Sequence, residues 1–330
     1  MNRLRMGIVG SGRLGSFHAS KAHAHPEVEL AGVFDVNRDN AQKVANQFAV
    51  KAYDSLDELA GQVQAVVIAV PSVLHYEISR FLLEKKVSLL IEKPMTTNSR
   101  DAAELAKIAQ NNNLSLTIGH TEQYNPVWQH GKTLLQSGQP CFIEARRTSG
   151  YTFRSTDIGA VLDLMIHDLE LLFSTQSGEL TQLDAFGYSL LGGHEDFAQA
   201  RLAFANGTVA NLIASRVEHE AVRNMRISSI RETAILDFSS RKFIGYRPSA
   251  SVQAGEFSPE HVSNEQVAQL SPMFMQSHFE KIEQSYEVVD ALSLEMADFV
   301  ALVLHGQPSR VAVADAVRAI DVAEQILAKI

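Results

Sequence analysis

Apolar residues in the first third of the chain fall into short unbroken runs, separated by stretches with helical spacing. Residues 4–9, 29–34, 52–53, 65–70, 87–91 and 114–119 read as strands. The runs at 65 and 87 are almost wholly apolar, as strands buried on both faces are. Between them, residues 41–48, 56–59 behind a Ser55 cap, a segment after Ser72, and 99–110 read as helices. Six strands alternating with helices predict an α/β fold, with a doubly wound parallel sheet over residues 1–120.

Residues 121–330 have a different pattern and predict an α+β domain. Asn125-Pro126 is a helix start, with asparagine as cap and proline at the first helical position; the helix is expected to run to about Gln136 and close at Gly138 and Pro140. Residues 141–148 alternate as a strand carrying Glu144, Arg146 and Arg147. Beyond Ser177-Gly178 come long alternating strands at 180–190, 196–204 and 208–216, with shorter pieces at 225–227 and 235–238. Asn206-Gly207 between two of them is a hairpin turn. This predicts an open, mostly antiparallel sheet that keeps one face free for another subunit. Residues 245–276 read as a polar surface loop, and 292–304 and 313–327 as closing helices.

Length and charge narrow the classes. A chain of 330 residues exceeds what one core usually supports, which fits two domains. The net charge of -9 argues against a nucleic acid or an anionic membrane as partner, although a local basic pocket can still hold a phosphate-bearing substrate. Cys141 is the one cysteine, so no intrachain disulfide forms, in keeping with a reducing cytoplasmic compartment. The start is basic, but the apolar run behind it is short and leads into glycines, unlike an export leader. The run 65–70 is far too short to span a bilayer.

The chemistry concentrates in a few stretches. Gly10-Ser11-Gly12-Arg13-Leu14-Gly15 lies between a strand and a helix, the context in which G-x-G-x-x-G cradles a dinucleotide pyrophosphate on free N–H groups. Asp35, twenty residues after Gly15, ends the second strand and can accept both ribose hydroxyls of NAD. The 2'-phosphate of NADP would meet that carboxylate at a cost of about 4 kcal/mol, so NAD is favoured over NADP. Arg38 can stack on adenine or pair with a phosphate. Pro71 ends the fourth strand, and His75 begins the next helix, where it either faces the nicotinamide or bonds backbone. The spacing of His18, His23 and His25 matches no standard metal site, and no metal is expected.

Two further stretches complete the set. Val87 to Pro94 ends a central strand in Glu92, Lys93 and Pro94, placing a lysine where open α/β sheets bind ligands. In residues 157–172, Asp163, His167 and Glu170 form a narrow helical stripe among apolar residues, with no lysine or arginine, as in the wall of a site. Asp168 falls on the apolar side, either paired in the interior or at a distortion of the helix.

In order along the chain, GIVGSGRLG, VFD, VVIAVPSVLH, the IEKP box and a D-x-x-x-H helix resemble the Gfo/Idh/MocA oxidoreductases over nearly the whole length. The resemblance implies an N-terminal Rossmann domain, a C-terminal domain whose open sheet makes a homo-dimer or homo-tetramer, and NAD(P)-dependent oxidation of a sugar or cyclitol hydroxyl. It carries the family's catalytic lysine onto Lys93 and its acid and histidine onto Asp163 and His167. Glu92 becomes a positioning residue beside the cofactor. Met165 departs from the pattern, standing where family members often have glycine. GHTEQYNP and DIGAVLDLMIHDLE look like the matching stretches of bacterial UDP-N-acetylglucosamine 3-dehydrogenases, although Gln123 replaces an expected arginine. A nucleotide-sugar diphosphate needs cations, which Arg146, Arg147 and Arg154 can supply unless they are merely exposed sheet arginines.

The expected chemistry is hydride transfer from a carbinol carbon to NAD. His167 is the expected base, because an imidazole titrates near 6.5 whereas a lysine, near 10.4, must first be depressed. Asp163 would orient the imidazole, and Lys93 would hydrogen-bond the reacting oxygen and share the proton. The rival readings are an inositol or free-sugar dehydrogenase, and a non-catalytic NAD or sugar sensor on the same scaffold.

Overall fold

The computed structural model describes residues 3–135, 140–176, 178–257 and 259–330. The expected helix end at Gln136 and Gly138, and the turn residue Ser177, lie outside the described residues. Six strands form a wholly parallel sheet: β1 (Leu4–Val9), β2 (Val28–Phe34), β3 (Lys51–Ala52), β4 (Ala65–Ile68), β5 (Ser88–Glu92) and β6 (Leu116–Gly119). Their order, β3-β2-β1-β4-β5-β6, reverses direction between β1 and β4. In such sheets a ligand crevice opens at that reversal, beyond the carboxyl ends of the strands. β4 and β5 are buried along their whole length, which is why their sequences run apolar without alternation.

Eight strands make the second sheet: β7 (Phe142–Thr148), β8 (Leu180–Tyr188), β9 (Phe197–Phe204), β10 (Val209–Ser215), β11 (Val222–Ser228), β12 (Thr233–Asp237), β13 (Lys242–Pro248) and β14 (Phe279–Ser285). The order is β14-β13-β12-β11-β7-β10-β9-β8, with β7 and β10 parallel and all other pairs antiparallel. Gly207 takes φ +84° in the hairpin between β9 and β10, the left-handed turn that Asn-Gly favours. One face buries Ile143, Ala145, Ala200, Leu202, Leu212 and Met225. On that side lie the helices Ile166–Phe173 and Val313–Leu327, whose buried residues join the same core. The opposite face leaves Phe142, Phe186, Tyr188 and Ile235 exposed.

Two departures from the expected layout concern the end of the chain. The segment 245–276 is not one irregular loop: Gly245 to Pro248 belong to β13, and short helices Ala250–Gln253, Asn264–Leu270 and Phe274–His278 follow. The helix Ala291–His305 turns back to the first sheet, where Met296, Phe299 and Val300 share a core with Leu4, Met6, Ile8 and Leu90. No helix among the described residues is long and apolar enough to cross a membrane.

Candidate active site

The glycine loop follows β1 at the point where the sheet order reverses. Gly10 has φ +89°, and a Cβ on it would lie 2.3 Å from the Ala69 carbonyl oxygen. A Cβ on Gly15 would lie 1.8 Å from the Gly10 carbonyl oxygen, so only glycine lets the helix close on its strand. Gly12 has nothing within 4 Å of a Cβ position and caps the helix Arg13–Ala24 with no side-chain hydrogen bond. The loop thus offers an open approach to a bare helix N-terminus, which fits the pyrophosphate of a dinucleotide. Asp35 stands beside it, its Oδ2 accepting from the Ser11 N–H at 2.5 Å. That carboxylate, next to the pyrophosphate cradle, suits a ribose diol.

A cleft of about 690 Å³ runs from Gly12, Arg13 and Leu14, past Pro71 and Ser72, to Lys93, Asp163 and His167. Thr121, Glu122, Asp157, Arg154 and Arg223 line its remaining walls. Asp157 Oδ2 accepts from the Ser72 N–H at 2.8 Å, tying the second half of the chain to the loop after β4. Lys93, delivered by the end of β5 ahead of a cis bond to Pro94, donates from Nζ to Asp163 Oδ1 and to the Asp163 carbonyl oxygen, both at 2.8 Å.

The local winding explains that pairing. Val161–Met165 is a π-helical turn, followed by the α-helix Ile166–Phe173. Such a turn inserts an extra residue and breaks the stripe that regular α periodicity lays out. The hydrogen-bond partner of Asp163 is therefore Lys93, not the His167 imidazole as expected. Glu170 also leaves the stripe; it is fully buried and accepts from Gln123 Nε2 at 2.8 Å. Burial pushes its carboxyl up to about 8. Asp168 lies in the interior, bonded twice by Arg147 at 3.1 and 2.9 Å; of its two open readings the paired one holds, because the distorted turn ends before it, at Met165.

His167 borders the cleft, and its Nδ1 is buried with no hydrogen-bond partner among the described residues. Burial, followed by the charges of Lys93 and Arg147, holds its pKa well below the ordinary imidazole value. The ring of His120, itself buried and lowered to about 3 chiefly by burial, meets it edge-on at 6.1 Å. Both imidazoles are neutral near neutrality.

Several expected site residues are placed elsewhere. His75 does not border the cleft; it is buried, with Nδ1 2.8 Å from the Pro94 carbonyl oxygen and Nε2 3.0 Å from that of Val70, bridging two strand ends. Arg146 lies on the open face of the second sheet, 3.6 Å from Glu218, because alternation sends consecutive residues of β7 to opposite faces. Arg147 takes the inner face but is consumed by Asp168 and Glu122, whose Oε1 accepts at 2.8 Å. Gln123 is buried, bonding Glu170 and the Trp128 indole. Arg38 donates to the Tyr53 carbonyl oxygen at 2.9 Å and pairs with Asp54 at 2.6 Å. Glu92 borders the cleft yet is mostly buried against His18. Of the predicted cations, Arg154 alone borders the cleft without an ion pair among the described residues.

Arg223 was not foreseen. It is paired in register with Arg147 across β7 and β11, and so shares its inward face. Only the strand register reveals this; the sequence around it signals just an edge of a strand.

Fold and cleft define an oxidoreductase with an NAD-binding Rossmann domain. A family model described as an oxidoreductase family with an NAD-binding Rossmann fold matches residues 4–120, and a model of the GFO/IDH/MocA C-terminal domain matches residues 134–229. The UDP-N-acetylglucosamine 3-dehydrogenase of Acidithiobacillus ferrooxidans is 38% identical over 257 residues, 77% of this chain and 80% of that protein. The solved structure of that organism's enzyme superposes with a TM-score of 0.85 at 32% identity, covering 100% of this chain and 98% of its own. The scyllo-inositol 2-dehydrogenase of Bacillus subtilis is more distant, at 22% over 234 residues, 65% of this chain and 68% of that one. The chain belongs to the Gfo/Idh/MocA oxidoreductase family.

Proposed function

We propose that this protein oxidises the 3-hydroxyl of a UDP-N-acetylhexosamine, with NAD as hydride acceptor. The carrying observation is the 38% identity to the A. ferrooxidans 3-dehydrogenase, spanning most of both chains. The cleft supports it, with a glycine cradle at one end, Lys93, Asp163 and His167 in the middle, and the cations Arg154 and Arg223 on the far wall. In this reading residues 1–120 bind the cofactor and residues 121–330 supply the substrate wall and the subunit contacts.

Gly12, Arg13 and Leu14 would hold the NAD pyrophosphate and Asp35 its ribose, and NAD when bound would supply the hydride-accepting ring. Lys93, fixed by two bonds to Asp163, presents its ammonium to the reacting oxygen and lowers the cost of negative charge developing there. His167, kept neutral by burial and its cationic neighbours, is in the right state to accept the hydroxyl proton. The same cationic neighbours make it a weak base, so the hydrogen bond from the Lys93 ammonium to the developing alkoxide carries the rest of the stabilisation. Arg154 and Arg223 hold the diphosphate and set the distance from nucleotide to reacting hydroxyl.

The exposed face of the second sheet, with the aromatic cluster Phe186, Tyr188 and Phe197, seats a second copy of the chain in a homo-dimer, or a homo-tetramer if paired again. One free, buried cysteine is in keeping with a cytoplasmic enzyme. The deciding test is NADH formation from NAD with UDP-N-acetylglucosamine, set beside free N-acetylglucosamine and inositols. Turnover on an inositol with none on the nucleotide sugar would overturn the assignment.

A further inference from the structure

Behind the strand end that carries Lys93 lies a second cluster of titratable groups, which meets the cleft through Glu92. His18, on the helix after the glycine loop, approaches Glu92 Oε1 with its Nε2 at 2.6 Å, and both side chains are almost completely buried. Glu92 Oε2 accepts from the Lys93 N–H at 3.3 Å. The third member is Glu295, on the helix Ala291–His305 that returns to the first sheet. It is 1% exposed, and neither of its carboxyl oxygens has a hydrogen-bond partner among the described residues. One ligand-capable atom from each of the three side chains lies within 4.8 Å of the others.

Two ionised carboxylates cannot share a dry pocket with one imidazole at tolerable cost. The contact from His18 is of hydrogen-bond length and falls on Glu92, so Glu295, which has no such partner among the described residues, is the one left to carry a proton. Its O–H then has the Glu92 carboxylate within 4.8 Å, in reach of a direct hydrogen bond or one bridging water. The charges acting on Glu295 are both anionic, Glu92 and Asp298, and Lys21 on the packed helix Arg13–Ala24 is taken by Asp290 at 2.6 Å. Asp298, on its own helix, is occupied by the Tyr124 hydroxyl at 2.8 Å and by Ser309 at 2.6 Å. Burial, then the charges of Glu92 and Asp298, push the Glu295 carboxyl well above the ordinary range.

We infer that Glu295 is a positioning residue that works as a neutral carboxylic acid, holding Glu92 in place and with it the strand end from which Lys93 reaches Asp163. The inference rests on the assignment of Lys93 to the reaction, but two of its readouts do not. A group whose folded pKa is raised favours the fold fully below its ordinary value, and that contribution is lost as pH rises through the folded value. Glu295→Gln keeps the shape and the neutral state, and it cannot ionise in the unfolded chain.

The expected results follow from that sign. Glu295→Gln should melt above the wild type at about pH 8, and the two should converge only below about pH 4, under the ordinary carboxylate value. At pH near 7 its turnover should stay within about twofold of wild type, with NADH affinity unchanged, and it should hold turnover further into the alkaline range. Glu295→Leu, apolar and unable to donate to Glu92, should cut kcat at least tenfold with a small change in KM. A lower melting point or a tenfold loss of turnover in Glu295→Gln would mean that the ionised carboxylate is needed, and would overturn the inference. So would activity that a chelator removes and a divalent cation restores, which would give the cluster to a metal. If no substrate is turned over, the function proposed above fails, while the melting points and NADH binding still decide the role of Glu295.

Discussion

Asp168→Asn isolates the charge term of the buried ion pair that backs the active-site helix. Arg147 is 3% exposed and Asp168 2%, and the guanidinium makes two of its three carboxylate hydrogen bonds to Asp168. The substitution changes almost no volume, so no cavity contributes. It leaves a buried cation with one carboxylate, Glu122, and an amide that must turn its NH₂ away from the guanidinium. Removing one partner of a buried pair costs about 3–5 kcal/mol. Because Glu122 persists at 2.8 Å, the lower end applies, about 3 kcal/mol. At roughly 2 °C per kcal/mol for a chain of this length, the melting point should fall by about 6 °C. Thermal unfolding followed by circular dichroism, with urea unfolding as a second measure, reads this directly. The double variant Arg147→Met with Asp168→Leu removes both charges and should recover most of the loss. A fall smaller than about 0.5 kcal/mol, the size of an ordinary surface change, would refute the reasoning. A double variant no more stable than the single one would refute it equally.

The remaining predictions concern chemistry and specificity. His167→Ala should keep NADH binding while turnover falls by about two orders of magnitude or more; unchanged turnover would remove His167 from the reaction. Because burial and its cationic neighbours lower the His167 pKa, the acid limb of kcat/KM should lie below pH 6.5 and not at it, as a pH–rate profile will show. Asp35→Ser should narrow the preference for NAD over NADP, which initial rates with each cofactor would measure. For Glu170, raised to about 8 by burial, the stabilising neutral form is present below the ordinary carboxylate value and is lost as pH rises through about 8. Glu170→Gln should flatten that decline in a series of melting points, since its amide oxygen still accepts from Gln123.

The first sheet was legible because its central strands are buried on both faces, so runs such as Ala65 to Ile68 carry no polar break. The glycine loop was legible for a steric reason that coordinates make explicit, the 1.8 Å approach at Gly15. What escaped depended on register and winding. β13 and β14 carry Lys242, Arg247, Glu280, Lys281 and Glu283 at the open end of the second sheet, with little burial to impose alternation. The facing of Arg146, Arg147 and Arg223 follows from which residues pair across β7 and β11. The π-helical turn at Val161–Met165 redirected Asp163 to Lys93, and a 3.6-residue repeat cannot show that. Glu295 escaped for a different reason: an acid in a mostly apolar helix has no local signature, and its neighbours His18 and Glu92 come from the first third of the sequence.

The helix Ala291–His305 makes the order of the chain differ from the order of the molecule. Residues 4–120 do not enclose their own core, because Phe299 and its neighbours fill one side of it from the opposite end of the polypeptide. During synthesis that side stays open until the helix Ala291–His305 has left the ribosome. The Rossmann half therefore closes its core long after its own strands are made, and a fragment ending at residue 120 should be sticky and protease-sensitive instead of a free-standing module.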